Sequence, residues 1–181
     1  MDKATVLFWE VGYEAASLSA LLDAMEITRG SFYKAFGDKH SVYLAALDHY
    51  NDKVVGGTVL YLGDPANGSG RERILGLFDS IARSVRDTGD RLGCFLCNAV
   101  VDKAAADPAV EDRLQAMTYR LEGAFRRALL DDGVEEGRAR AAARGILSSY
   151  FGLRVLGRAG LSSEMAADCI GEVERLIGLA G

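Results

Sequence analysis

The 181-residue chain is expected to be all-α: three short N-terminal helices, a long connecting helix and a larger helical bundle, about nine helices in all. Three features lead there. Apolar residues recur at the three- and four-residue spacing of one helical face. No segment keeps a two-residue alternation between hairpin turns, so no strand is needed. Breaks between the periodic segments are marked by capping residues, glycines and the only two prolines.

In the first helix, residues 3–11, Ala4, Leu7, Phe8 and Val11 share a face, and "GYEAAS" stops it. Ser17 is placed to cap the second, residues 18–25, whose buried face is Leu18, Leu21, Leu22 and Met25. Glu26-Ile27-Thr28 turns the chain, with Ile27 as a core plug and Thr28 as cap of a third helix at 29–35. Asp38 caps a helix expected to run unbroken over 39–60. The glycine-rich "GDPANGSG", 63–70, is the clearest loop. Ile74, Leu75, Phe78, Ile81, Ala82 and Val85 form the stripe of a helix at 71–87, and another helix is expected at 92–105. Asp107-Pro108 reads as cap and first residue of a helix at 108–130, striped by Val110, Leu114, Met117, Leu121 and Phe125. "DDGVEEG" and "RAGLSS" set off the last two, 135–157 and 163–179. The expected division is a domain at 1–45 and a second at 46–181.

With 49% apolar residues the chain can bury a core. A net charge of −5 excludes a surface that coats nucleic acid or anionic membrane as a whole, but leaves room for a local basic site. No apolar run is long enough to cross a bilayer, and the N-terminus lacks a signal-peptide pattern. Three cysteines do not make a secreted disulfide framework, so reduced thiols and a cytoplasmic location are expected.

"MEITRGSFYKAFGDKH" supplies the local basic site. Phe32 and Phe36, four residues apart, are expected to face inward. That turns Arg29, Ser31, Tyr33 and Lys34 outward or to the edges, the arrangement a helix needs to enter a major groove. Arginine can donate a bidentate pair to guanine, lysine reaches guanine or phosphate, and the hydroxyls bond phosphate or base edges. Gly30 allows close backbone approach. Asp38 places Lys39 and the N–H groups of its first turn where a phosphate can dock.

The segment "LFWEVGYEAASLSALLDAMEITRGSFYKAFGDKHSVYLAALDHY" resembles the N-terminal DNA-binding domain of TetR-type transcriptional regulators. The matching pieces are Phe8 through Gly12-Tyr13, Ser17-Leu18, Ile27 through Tyr33, Phe36 and Asp38-Lys39. By that resemblance Ser17, Thr28, Arg29, Gly30, Ser31, Tyr33, Lys34 and Lys39 meet double-stranded DNA. The resemblance further implies a homodimer on a pseudo-palindromic operator, acting as a repressor released by a small molecule, with no cofactor and no enzymatic activity. Two departures stand out. Glu26 occupies a turn position where the family usually has glycine, and a left-handed backbone there costs about 1 kcal/mol. Fewer residues also precede the first helix than family members usually carry, which is expected to lower affinity. These departures keep open a second reading, a helical dimer acting through protein contacts alone.

The helix at 135–157 carries apolar groups on more than one side (Ile146, Leu147, Tyr150, Phe151, Leu153, Val155, Leu156) and is expected to form the dimer surface with 163–179. The family's inducer site lies within the bundle. By helical face its candidates here are Phe78, Ile81, Phe95, Asn98, Met117, Leu121, Phe125, Tyr150 and Phe151, and the expected inducer is apolar or aromatic. Asn98 stands out because a buried amide must find partners. Cys94 and Cys97 form a C-x-x-C; they read as small buried hydrophobes or, with Cys94 opening a helix, as redox-sensitive thiols. No zinc set is expected, since a second C-x-x-C is missing and His40 and His49 lie elsewhere. A thiol oxidoreductase is disfavoured by the lack of a βαβ pattern, and other enzymes by the lack of a phosphate loop or a Ser-His-Asp set.

Overall fold

The computed structural model describes residues 1–88, 92–102, 107–160 and 162–180. These form α1 (Asp2–Ala15), α2 (Leu18–Met25), α3 (Arg29–Phe36), α4 (Lys39–Tyr50), α5 (Gly56–Gly63), α6 (Gly70–Arg83), α7 (Phe95–Asp102), α8 (Pro108–Asp131), α9 (Glu136–Ala159) and α10 (Ser163–Ala180). The fold is all-α, as expected. Among the described residues no helix is long and apolar enough to cross a membrane.

Three expected helices differ in detail; the one at 71–87 ends as an α-helix at Arg83 and passes into a π-helical turn at Ser84–Thr88. The run predicted for 39–60 is interrupted by a wide π-helical turn at Asn51–Val55, just before Gly56-Gly57, two residues of poor helix propensity. The helix predicted for 92–105 starts only at Phe95, because Gly93 adopts φ 70°. Its predicted end at 103–105 lies outside the described residues.

The chain separates into two compact units, Met1–Val54 with Phe95–Met117, and Val55–Cys94 with Thr118–Gly181. The boundary predicted after residue 45 therefore falls inside α4, and the first unit takes in a distant segment besides. Aromatic packing explains this. Phe95 inserts edge-on against Tyr43 and Tyr50, with ring centroids 6.0 and 5.5 Å away, and Trp9 meets Tyr50 at 5.1 Å. Two carboxylates fasten the same segment. Asp107 Oδ2 hydrogen-bonds His40 Nε2 at 2.6 Å while Oδ1 caps α8 at Ala109 and Val110. Asp102 accepts the Tyr13 N–H at 2.6 Å, a donor exposed where Gly12 (φ 80°) breaks α1.

In the second unit, α9 lies along α10, and α6 packs on both. Tyr150 is held between Phe78 and Phe125, at 6.2 and 5.9 Å. Ser69 and Glu72 form a reciprocal capping box at the start of α6, and Asp132 accepts the Gly70 and Arg71 N–H groups, each at 2.7 Å. Gly70 is required there, since a Cβ would lie 1.7 Å from the Ala128 carbonyl oxygen. Arg73, 1% exposed, donates to the Leu62 carbonyl at 2.6 Å and to Asp131 at 2.7 Å, so the buried guanidinium is paired.

Candidate nucleic-acid interface

A helix-turn-helix is built by α2 and α3, and the N-terminus of each helix is fixed by a side chain. Ser17 Oγ accepts the Ala20 N–H at 3.1 Å and Thr28 Oγ1 accepts the Ser31 N–H at 3.2 Å. Between the helices the backbone at Glu26 is left-handed (φ 57°, ψ 41°), the one non-glycine with positive φ among the described residues. The strain anticipated from the sequence is thus present. Its carboxylate bonds Lys3 Nζ, and this contact holds its pKa below the usual glutamate value. Sequence reading missed Lys3, whose partner is 23 residues away.

Phe32 is fully buried and anchors α3, stacking at tilted or edge-on angles with Tyr33 and Phe36. Phe36 is only half-buried, a correction to the expectation that both rings face inward: it sits in the last turn, where Gly37 ends the helix. Arg29, Gly30, Ser31 and Lys34 are exposed, and Tyr33 is 47% exposed. One short helix therefore presents a guanidinium, an ammonium and two hydroxyls to solvent. A Cβ at Gly30 would meet only Thr28 Oγ1, at 4.0 Å, so packing does not require glycine there.

Asp38 caps α4 by accepting the Ser41 N–H at 2.7 Å, a bond that lowers its pKa. Lys39 is turned back onto the protein, with Nζ 4.5 Å above the Tyr13 ring and 3.4 Å from the Glu14 carbonyl. Ser17 and Thr28 are exposed, but their hydroxyls already serve as caps.

The residues expected around an inducer are divided between the two units. Phe95, Asn98 and Met117 belong to the first; Phe78, Ile81, Leu121, Phe125, Tyr150 and Phe151 belong to the second. Asn98 Nδ2 donates to the Trp9 carbonyl at 3.2 Å, so the protein itself supplies a partner for the amide. Phe78, Ile81, Phe95, Met117, Leu121, Phe125 and Tyr150 are core side chains, and Phe151 is half-buried. Cys94 is 2% exposed and precedes α7, and Cys97 is half-buried within it. Burial of Cys94 is the environment of a small hydrophobe rather than of an accessible thiolate.

The description "Bacterial regulatory proteins, tetR family" matches residues 1–46. "Transcriptional regulator LmrA/YxaF-like, C-terminal domain" matches residues 71–168, more than half of the chain. The uncharacterized HTH-type transcriptional regulator YezE of Bacillus subtilis is 29% identical over 130 residues, 72% of this chain and 66% of YezE. The HTH-type transcriptional repressor ComR of Escherichia coli is 32% identical over 98 residues, 54% of this chain and 46% of ComR. The chain thus spans less than two thirds of either relative. Among solved structures, a cysteine mutant of the TetR-family regulator CifR, complexed with 26-base-pair operator DNA, is 28% identical with TM-score 0.75, covering 97% of this chain and 92% of CifR. SCO4454 of Streptomyces coelicolor, 22% identical, has TM-score 0.82 over 99% of this chain and 92% of its own, which speaks to the fold alone. The matched domains and the helix-turn-helix agree: this chain belongs to the TetR family of helix-turn-helix transcriptional regulators, a DNA-binding class and not an enzymatic one.

Proposed function

We propose that the chain is a homodimeric repressor that reads a pseudo-palindromic operator through α3 and is released by a small molecule. The observation that carries the reading is the single buried anchor Phe32, which leaves Arg29, Ser31, Tyr33 and Lys34 in solvent on a capped, short helix. Arg29 and Tyr33 read base edges; Lys34 and the hydroxyls of Ser31 and Thr28 meet phosphate. Gly30 keeps the helix surface low for backbone approach. Ser17 positions α2, and Lys39, over Tyr13, sets the start of α4 rather than projecting as a free cation. The CifR complex with operator DNA supports the duplex as partner, and the name of ComR supports repression.

Support for the dimer comes from exposed apolar groups on α9 and α10: Val155, Leu156, Met165 and Leu179. A two-fold assembly presents the two α3 helices about one turn of DNA apart, roughly 34–36 Å.

Fluorescence anisotropy with duplex DNA from upstream of the chain's own gene tests the reading. Binding is expected to weaken steeply with salt. Arg29→Ala should cost about 1–3 kcal/mol, roughly 5- to 150-fold, and Lys34→Ala should mainly shallow the salt dependence. Affinity indifferent to both Arg29→Ala and Tyr33→Ala overturns α3 as the reading helix.

A further inference from the structure

In the first unit Lys3, in the first turn of α1, bonds Glu26, the left-handed residue between α2 and α3. Both side chains stand in water, 60% and 74% exposed. A pair of this kind contributes little to stability, so it is easily exchanged for another partner. The neighbouring carboxylate is engaged elsewhere: Asp2 Oδ1 meets His49 Nε2 of α4 at 2.6 Å. Glu26 is therefore the carboxylate that holds the Lys3 ammonium.

The place of the pair gives it a use. Lys3 lines a groove of about 330 Å³ together with Ser31, Ala35 and Phe36 of α3. Met25 and Ile27, on either side of Glu26 in the chain, line it too. One groove thus carries both Lys3 and Ser31, whose hydroxyl lies 3.0 Å from the capping oxygen of Thr28. Glu26 precedes that cap by two residues. Two residues of chain span at most about 7 Å, short of the roughly 10 Å over which 0.1 M salt screens an exposed charge. A phosphate drawn to Ser31 and Thr28 is therefore repelled by the carboxylate and attracted by the ammonium.

We propose that Lys3 is a phosphate-contacting residue which the unbound protein stores on Glu26, and that Glu26 is a brake on operator affinity. On the duplex the ammonium exchanges the carboxylate for a backbone phosphate, and Glu26 is left uncompensated beside the DNA. A protein built this way binds its operator less tightly than its cations alone would allow. The proposal deepens the operator-reading function and rests on it, since α3 must meet the duplex for Lys3 to do so. Neither residue is among the DNA contacts expected from the sequence.

Anisotropy titrations of the full chain on duplex DNA from upstream of its own gene, across about 50 to 200 mM salt, test the exchange. Lys3→Ala should weaken binding about tenfold and reduce the salt slope by about one. Glu26→Gln keeps the size of the side chain and removes only its charge, and should tighten binding about five- to tenfold. In the Glu26→Gln background, Lys3→Ala should still cost about tenfold. Both residues are exposed, and circular dichroism and melting curves verify that each variant is folded. A loss on Lys3→Ala that vanishes in the Glu26→Gln background means that Lys3 only screens Glu26, and overturns the phosphate contact. Binding that is unchanged or weaker in Glu26→Gln overturns the brake. Arg29→Ala separates this proposal from the reading it rests on. If Arg29→Ala weakens binding while Lys3→Ala and Glu26→Gln leave it unmoved, α3 still reads the operator and the exchange alone fails. If none of the three moves the affinity, both fail.

Discussion

Helix α3 buries one of its eight residues, Phe32, whereas α9 buries eight of its twenty-four, from Ala139 to Gly157. With about 1.5–3 kcal/mol from each fully buried large apolar side chain, α3 draws on one such contribution and α9 on several. The geometry of α3 must therefore come largely from its ends. Thr28 satisfies an N-terminal N–H, and the Gly37 N–H closes the other end on the Tyr33 carbonyl. The position of α9 comes from side-chain packing, and its cap adds comparatively little. A helix fixed at its ends can devote nearly all its surface to polar recognition; a helix fixed by packing cannot.

The largest expected effect breaks the packed side of that contrast. Tyr150→Ala removes the ring between Phe78 and Phe125 and should cost about 3–5 kcal/mol, read by thermal or denaturant unfolding. Next, Thr28→Ala should cost about 1 kcal/mol, localised to α3, with faster amide exchange there and weaker operator binding. If exchange accelerates equally in α9, the ends of α3 are not what holds it. Glu26→Gly relieves about 1 kcal/mol of left-handed strain but loses the exposed Lys3 contact, so the melting temperature should rise by only about 1–2 °C.

Acid sharpens the comparison further. Glu135 caps α9 through the Gly137 and Arg138 N–H groups, and these bonds hold its carboxyl below the usual 4.5. A lowered folded pKa means a contribution fully present above the ordinary glutamate range and lost as pH falls through the lower folded value. The α3 cap, a threonine hydroxyl, does not titrate. Between about pH 5 and pH 3, amide exchange should quicken at the start of α9 and not through loss of the Thr28 cap.

Local features were legible in the sequence. Ser17, Thr28, Asp38 and Asp107 cap the helices they were expected to cap, because a cap bonds an N–H two or three residues away. Glu26 could likewise be placed in a left-handed turn from neighbouring residues. Partnerships across long stretches of chain were not legible. His40 with Asp107, Asn98 with the Trp9 carbonyl and Arg73 with Asp131 join residues separated by 58 to 89 positions, and nothing local to either partner announces the other.

Trp9 is the sole indole in the chain, and its ring rests against Tyr50 and Phe95. Intrinsic emission excited at the red edge therefore reports the surroundings of one compact unit and is blind to melting confined to the other. Far-ultraviolet ellipticity counts helices in both. Denaturation curves that coincide in the two signals would mean the halves unfold as a single cooperative body, and curves that part would give each half its own stability without any label being attached.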